Sequence, residues 1–290
     1  MEQAGKGTCR RSHDTRILTK SGSAAGPTNV ELVGRLRQLA ALAIYGAPAA
    51  QIGRWAGKTR EERHRMVNRL VPNVMTAVLT IAAAAIVVRQ CRKPWSLPGR
   101  LFIWLMNRTH AGVTRWGLRH VTVGPAATIL DVGCGGGRTI RALAGLGQMV
   151  HGIDYSATSV AAATRANADL IAAGRVDIRK AGVSQLPFAD ACVDLVTAVE
   201  THYYWPDPVH DFQEVYRVLK PGGTLLVIAE TYRDQTFAGL LIVPMLLLRA
   251  RYLTLDEHRA IFSAAGFTDI EIDHDQRKGW ICGIARRPAA

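Results

Sequence analysis

Two acids and a run of glycines have the spacing of a nucleoside-binding site. A short apolar run from Thr128 ends in Asp131, and the loop that follows at once has glycine at 133, 135, 136 and 137. Glycine accepts positive φ and lets a ligand lie against the main chain. A second apolar run ends in Asp154, and an acid at the tip of a second strand can accept both ribose hydroxyls. The pattern indicates a nucleoside-binding βαβ unit.

The spacing of the glycines distinguishes this loop from a dinucleotide-binding loop. The dinucleotide pattern G-x-G-x-x-G needs a third glycine that packs helix against strand, and Arg138 stands at that position here. Asp131 comes two residues before the first glycine and would place a carboxylate near the ligand. A pyrophosphate would be repelled by that carboxylate, whereas a cofactor with a sulfonium and an ammonium group would be attracted to it.

Four blocks, in order along the chain, resemble the class I S-adenosylmethionine-dependent methyltransferases. They are the Asp131 glycine loop, Asp154, the segment 186–196, and the segment 214–223 with its Lys-Pro-Gly-Gly turn. The resemblance covers residues 105–288. It implies S-adenosylmethionine as the cofactor and a Rossmann-like, doubly wound α/β fold. The expected sheet has seven mostly parallel strands and an antiparallel last strand.

The resemblance also implies which residues bind the cofactor: Asp131, Gly133, Gly135, Gly137, Asp154, Tyr155, Val183, Ser184 and Glu200. The flat ring of Tyr155 suits stacking against adenine. The sequence departs from the family at 182–184, where many members have an acid that accepts a hydrogen bond from the adenine amino group. Gly182 or Val183 stands there, so the backbone or Ser184 must make that contact.

The loop after the predicted fourth strand, from Glu200 to Asp207, is expected to face the transferable methyl group. In open parallel sheets, ligands lie beyond the carboxyl ends of the strands. The loop contains three consecutive aromatic residues, which as pocket walls would exclude water and shape an apolar acceptor site. The predicted substrate pocket therefore comprises Tyr203, Tyr204, Trp205 and His110. Two alternatives stay open: Tyr203 and Trp205 only seal the sheet edge, or His110 has a surface or capping role.

A general base is needed only if the acceptor must lose a proton. His202 is the first candidate, because the unperturbed pKa of histidine is about 6.5. Glu200 is the second, although in the resembled family an acid at this place more often lines the cofactor pocket. No cluster of metal ligands is visible in the sequence.

The elements that carry this site are predicted to occupy residues 93–290. Residues 1–28 are rich in Gly, Ser and Arg without periodicity and are predicted to be a disordered tail. Residues 29–92 are predicted to be a helical, basic extension. The segment 237–248 is apolar but broken by Pro244, and it fits a lid over an apolar substrate or a membrane-facing flap.

Residues 71–88 contain no charged residue and are a candidate membrane helix. Eighteen uncharged residues almost reach the length of about 20 that crosses a bilayer. Pro72 and Asn73 weaken the start of the segment, and alanine drives insertion poorly. A helix that lies on a membrane, or one that packs on the catalytic domain, fits the segment equally well.

The distribution of charge and the number of cysteines limit which classes of partner this protein can bind and which cellular compartment it occupies. Residues 1–100 contain 17 Lys and Arg against 5 Asp and Glu, whereas residues 101–290 contain 19 against 18. The cofactor domain therefore lacks the clustered cations of a specific nucleic-acid groove. Five scattered cysteines suggest free thiols, and the first thirty residues lack the apolar core of an export signal. We expect a cytoplasmic protein that associates with membranes, if at all, through residues 71–88.

The sequence thus predicts an enzyme that transfers a methyl group from S-adenosylmethionine to a small, apolar acceptor. One alternative is a membrane-associated methyltransferase that acts on a lipid or quinone. Another is a protein that binds S-adenosylmethionine without catalysis.

Overall fold

A computed structural model describes residues 59–235 and 238–289. The predicted tail, 1–28, and the first part of the predicted extension, 29–58, lie outside the described residues. Of the described residues, those from 85 onward belong to one compact unit and residues 59–84 to another. The predicted domain boundaries stay predictions.

The first described helix, α1 (Arg60–Arg92), contains the whole uncharged segment 71–88. Its first turn is acidic and its last turn is basic, which complements the helix dipole. Within the described residues no helix is both long enough and apolar enough to span a membrane. The candidate transmembrane helix is therefore not supported.

A single seven-stranded sheet forms the centre of the unit that begins at residue 85. Its spatial order is β3-β2-β1-β4-β5-β7-β6. The strands are β1 (Thr128–Val132), β2 (Met149–Asp154), β3 (Val176–Lys180), β4 (Val193–Val199), β5 (Leu219–Ala229), β6 (Thr268–Asp275) and β7 (Trp280–Arg286). Strands β1 to β5 pair in parallel, and β7 runs antiparallel to both its neighbours. The predicted fold class is confirmed.

Helices cover both faces of the sheet: α2 (Ser96–Thr109), α3 (Ala111–Gly117), α4 (Arg138–Leu143), α5 (Ala157–Ala166), α6 (Ala168–Ala172), α7 (Pro208–Val218), α8 (Ala238–Leu247) and α9 (Leu255–Ala264). Side chains alternate along a strand, so successive residues enter different cores. In β5, Leu225 and Val227 join one core while Leu226 and Ile228 join the other. The first core also contains Phe212 of α7, and the second contains Ile140 of α4.

The composition of residues 158–173 predicts one helix, but the structure has two, α5 and α6. Asn167 separates them with φ −122° and ψ 24°. Its buried side-chain amide donates hydrogen bonds of 2.9 Å to the carbonyl oxygens of Gly137 and Ala163. The break therefore attaches α5 to the end of the glycine loop.

Two smaller expectations also need correction. The resemblance implies that the Lys-Pro-Gly-Gly turn comes before the fifth strand, whereas here residues 220–223 lie inside β5, as an irregularity in its pairing with β4. Cys91, Cys134 and Cys282 have free thiols, but Cys192 is disulfide-bonded. The expectation of free thiols is therefore wrong at Cys192.

Candidate functional site

The glycine loop uses its three left-handed glycines for different purposes. Gly133, Gly135 and Gly137 have φ of +79°, +52° and +78°. A Cβ at Gly133 would lie 2.4 Å from the Thr201 side chain, and one at Gly137 would lie 2.5 Å from that of Asn167. A Cβ at Gly135 would meet nothing within 4 Å. Gly133 and Gly137 therefore allow close packing, whereas Gly135 exposes its backbone to open space.

Asp154 lies at the tip of β2, beside the glycine loop, as predicted. Its Oδ2 accepts a 3.0 Å hydrogen bond from the Gly135 amide, and its Oδ1 accepts a 2.7 Å bond from the Ser156 amide. Burial raises the pKa of this carboxyl above its usual value. A carboxylate has about four acceptor positions, so lone pairs remain for a ribose diol. The next residue, Tyr155, is 42% exposed.

Asp131 is buried beneath the glycine loop and does not line the cavity described below. Its Oδ1 accepts a 2.7 Å hydrogen bond from the Thr197 hydroxyl on the neighbouring strand, and its Oδ2 has no partner. Burial raises the pKa of Asp131 to about 7. The carboxyl of Asp131 contacts β4 through Thr197, and its predicted contact with the cofactor stays a prediction.

A cavity of about 380 Å³ lies beyond the carboxyl ends of β1, β2 and β4, within the usual size of small-molecule sites. One part of its lining, the glycine wall, consists of Gly133, Cys134, Gly135, Gly136, Asp154, Tyr155, Val183 and Ser184. Another part, the aromatic wall, consists of Ile103, Met106, His110, Glu200, Tyr204 and Trp205. Of the predicted site residues, Asp131, Gly137, His202 and Tyr203 are not part of the lining.

Glu200 is a buried carboxyl that lines this cavity. It adopts φ +58°, which is uncommon for a residue with a side chain. Its Oε2 accepts a 2.6 Å hydrogen bond from the Tyr203 hydroxyl, while its Oε1 has no partner. Burial raises the pKa of Glu200 to about 8, nearby Glu230 adds to the rise, and the Tyr203 hydrogen bond opposes it. Such a perturbed group in a cleft is typical of a functional carboxyl.

His202, the first candidate for a base, is buried away from the cavity. Its Nε2 lies 2.9 Å from Nε2 of His258, whose Nδ1 lies 2.7 Å from the carbonyl oxygen of Thr254. A carbonyl only accepts hydrogen bonds, so Nδ1 of His258 carries a proton and its Nε2 accepts from neutral His202. Burial, followed by the neighbouring His258, lowers the pKa of His202 well below its usual value.

The 3₁₀ turn His202–Tyr204 explains which predicted residues reach the cavity. Glu200 and Tyr204 face the cavity, whereas His202 and Tyr203 point into the protein. Tyr203 packs in a cluster with Tyr232 and Met245. Of the two interpretations of Tyr203, a residue that seals the sheet edge describes its position better than a residue of the substrate pocket.

His110 lies between α2 and α3 and lines the cavity, as predicted. Its Nε2 is 3.7 Å from Oε2 of Glu230, and burial lowers the pKa of the imidazole. Glu230 was missed by the sequence reasoning. Glu230 follows the last residue of β5. The rule that ligands lie beyond the carboxyl ends of parallel strands, which selected Glu200, would therefore have selected Glu230 as well. The described residues contain no group of three or more potential metal ligands.

Comparisons with known proteins agree with this architecture. Residues 130–227 match the methyltransferase domain family. Cycloartenol-C-24-methyltransferase 1 of Oryza sativa subsp. japonica is 37% identical over 36% of this chain and 31% of that protein. The 2-methyl-6-phytyl-1,4-hydroquinone methyltransferase of Synechocystis is 36% identical over 51% of this chain and 46% of its own length. A probable S-adenosylmethionine-dependent methyltransferase of Mycolicibacterium smegmatis is 33% identical over 48% of this chain and 51% of that protein.

Among solved structures, the geranyl diphosphate C-methyltransferase of Streptomyces coelicolor has the same fold. It superposes with a TM-score of 0.54 at 18% identity, covering 62% of this chain and 80% of that one, and contains S-adenosyl-L-homocysteine. The chain spans about a third to a half of the length of the relatives described above. Within that span it carries a class I S-adenosylmethionine-dependent methyltransferase domain. The predicted family and cofactor are confirmed.

The residues of the cavity fit this cofactor. The Gly135 backbone borders open space, Asp154 keeps acceptor capacity at the strand tip, and the Tyr155 ring is accessible.

Proposed function

We propose that this protein transfers the methyl group of S-adenosylmethionine to a small, apolar acceptor. The observation that supports this most strongly is a single cavity that joins the glycine wall to an aromatic wall containing an ionisable carboxyl. The relatives with methyltransferase names support the same reaction class.

In this proposal Asp154 binds the ribose hydroxyls, and Tyr155, Val183 and Ser184 contact the adenine. S-adenosylmethionine supplies a methyl group activated by positive sulfur. The protein residues therefore contribute binding, orientation and exclusion of water, and orientation is worth about 7–11 kcal/mol of the barrier.

Glu200 is the proposed base for acceptors that must lose a proton. A carboxyl with a pKa of about 8 is partly ionised near neutral pH, and a pKa near the working pH is what general-base catalysis needs. The Tyr203 hydroxyl donates to Oε2, and Oε1, which has no hydrogen-bond partner, is the oxygen proposed to take the proton. His202 is not proposed as the base, because its side chain is buried against His258.

Calorimetric titration of S-adenosylmethionine into the full chain tests the cofactor site. We expect binding in the parent and at least a tenfold loss in Asp154→Ala, because the ribose acceptor is removed. The exposed Asp256→Ala on α9 is the matched control and should bind as the parent does. Equal binding by Asp154→Ala and the parent would contradict the proposed role of this residue.

Transfer of a labelled methyl group tests the reaction. With an acceptor that must lose a proton, Glu200→Gln should lower kcat by about 10²–10⁴, the usual contribution of a general base, while cofactor binding persists. His202→Gln should change kcat by less than about threefold, since its side chain does not reach the cavity. Cofactor binding without turnover on any acceptor pool would instead favour the non-catalytic alternative.

A lipid or quinone acceptor is the second candidate. The names of two relatives specify a sterol and a phytyl hydroquinone as substrates of those proteins. The aromatic wall is also lined by Ile103 and Met106, which suit an apolar acceptor. A quinol with an isoprenoid tail should then have a higher kcat/KM than the same quinol without a tail. Equal values would favour a small soluble acceptor.

A further inference from the structure

Helix α2 turns its largest apolar side chains away from the protein. Leu97, Leu101, Trp104 and Leu105 recur at three- and four-residue spacing and are 45–75% exposed; they form the outer face of α2. The opposite side contains buried Ile103. Surface helices usually have the reverse pattern, and a contiguous exposed apolar patch marks an interaction site.

Helix α8 repeats this arrangement. Ile242, Val243, Leu246 and Leu247 are 46–69% exposed and form the outer face of α8. Its buried Met245 packs in the cluster of Tyr203, against which Tyr204 of the aromatic wall also packs. Helix α2 contributes Ile103 and Met106 to that wall directly. The two helices with apolar outer faces therefore both support the aromatic wall.

The charge around α2 indicates what covers these faces. Residues 85–130 contain seven Lys and Arg and no Asp or Glu. Arg100 and Arg108 belong to α2 itself and are exposed, and the Arg108 guanidinium lies 6.0 Å from the centre of the Trp104 ring. Leucine and tryptophan flanked by cations are typical of helices that lie in the interface of an anionic membrane. An apolar protein partner would not require this excess of positive charge.

We propose that the outer faces of α2 and α8 bind the surface of an anionic lipid bilayer. Trp95 and Trp104, both about half exposed, would lie at the level of the headgroups, where tryptophan is enriched. The inference rests on the proposed function, since it gives an apolar acceptor dissolved in the bilayer a route to the aromatic wall. It does not involve a membrane span, because α2 has only 14 residues and lies in the interface.

Co-sedimentation of the full chain with lipid vesicles tests the proposal. We expect binding to vesicles of phosphatidylcholine and phosphatidylglycerol in equal parts, weakened at high salt, and much less binding to phosphatidylcholine alone. Leu101→Asn with Trp104→Ser should reduce binding at least tenfold, because it removes buried apolar area. Arg100→Gln with Arg108→Gln should reduce it about fivefold for each arginine removed.

Two double variants serve as matched controls. Arg259→Gln with Arg277→Gln makes the same charge change at exposed positions outside the two faces and should bind as the parent does. Leu79→Asn with Ile81→Asn removes exposed apolar residues of α1 and should also leave binding unchanged. If the α1 variant loses binding while the α2 variant keeps it, the proposal is wrong.

Three other results would also overturn it. These are equal binding to neutral and anionic vesicles, absence of vesicle binding, and loss of self-association rather than vesicle binding in the α2 variants. S-adenosylmethionine titration of each variant separates this inference from the proposed function. If the parent binds vesicles but does not bind the cofactor, the methyltransferase proposal is refuted, whereas the proposed binding of lipid by the outer faces of α2 and α8 is not.

Discussion

The glycine wall and the aromatic wall border one cavity but are built from different parts of the chain. The glycine wall is held in place by hydrogen bonds from backbone amides: Gly133 and Cys134 donate to the Ile153 carbonyl, and Gly135 donates to the Asp154 carboxylate. In the aromatic wall, side chains from α2 and from the loop after β4 meet. Backbone geometry follows from local sequence, whereas meeting side chains depend on how distant elements pack. The first wall was therefore easier to predict than the second.

Two glycines of one loop give the largest expected contrast. Gly137→Ala should lower the free energy of unfolding by about 4 kcal/mol, since it combines positive φ with a collision against Ala163 and Asn167. Gly135→Ala should cost only about 1 kcal/mol, because its Cβ has room. Urea unfolding measures both variants.

Gly135→Ala, which should remain folded, is expected to affect cofactor binding more than it affects stability. Gly135→Ala should lose S-adenosylmethionine binding at least tenfold, because its methyl group occupies the space that the ligand needs. If Gly135→Ala binds normally, the loop backbone is not the cofactor surface.

Glu200 predicts a dependence of stability on pH. Its folded pKa of about 8 exceeds the usual value of 4.5, so folding favours the neutral form. Its contribution is fully present below pH 4.5 and is lost as the pH rises through about 8. Glu200→Gln lacks this loss, and its stability relative to the parent should rise by about 3 kcal/mol between pH 5 and pH 8.

Thermal unfolding at both pH values measures this effect as a relative gain of about 5 °C in melting temperature. Glu271→Gln, at an exposed position in β6, is the control and should show no such gain. If the melting temperatures of Glu200→Gln and the parent change equally between pH 5 and pH 8, Glu200 is not held neutral in the folded protein.

His202 should behave in the opposite way to Glu200. His202→Ala leaves Nε2 of buried His258 without its partner, which should cost about 2 kcal/mol of stability while kcat stays within about threefold of the parent. His258→Ala should cost a similar amount, and the double variant should cost less than the sum. A fall in kcat of a hundredfold in His202→Ala would restore this residue as the base.

Tyr155 gives the smallest expected effect. Tyr155→Ala should weaken S-adenosylmethionine binding by about 1 kcal/mol, the usual contribution of an aromatic contact, whereas Tyr155→Phe keeps the ring and should bind almost as the parent does. Calorimetric titration measures both. If the two substitutions weaken binding equally, the hydroxyl bound to the Arg92 carbonyl matters more than the ring.

Residues 202–204 show where reasoning from the sequence stopped. The position of the loop after β4 was predictable from the sequence, and Glu200, Tyr204 and Trp205 of that loop line the cavity. The sequence could not tell that a 3₁₀ turn directs His202 and Tyr203 inward, because adjacent residues of a loop share the same sequence signal. His258, which lies 56 residues further on, is what holds His202 there.

The sequence by itself determined the order of strands and helices, the glycine loop, Asp154 and the cofactor class, because these depend on short-range patterns of apolar residues and turn residues. Only the tertiary structure decided that Asp131 points at Thr197, that His202 pairs with His258, and that α2 turns leucine and tryptophan outward. Each of these depends on contacts between segments far apart in the chain, and local sequence does not encode which segments meet.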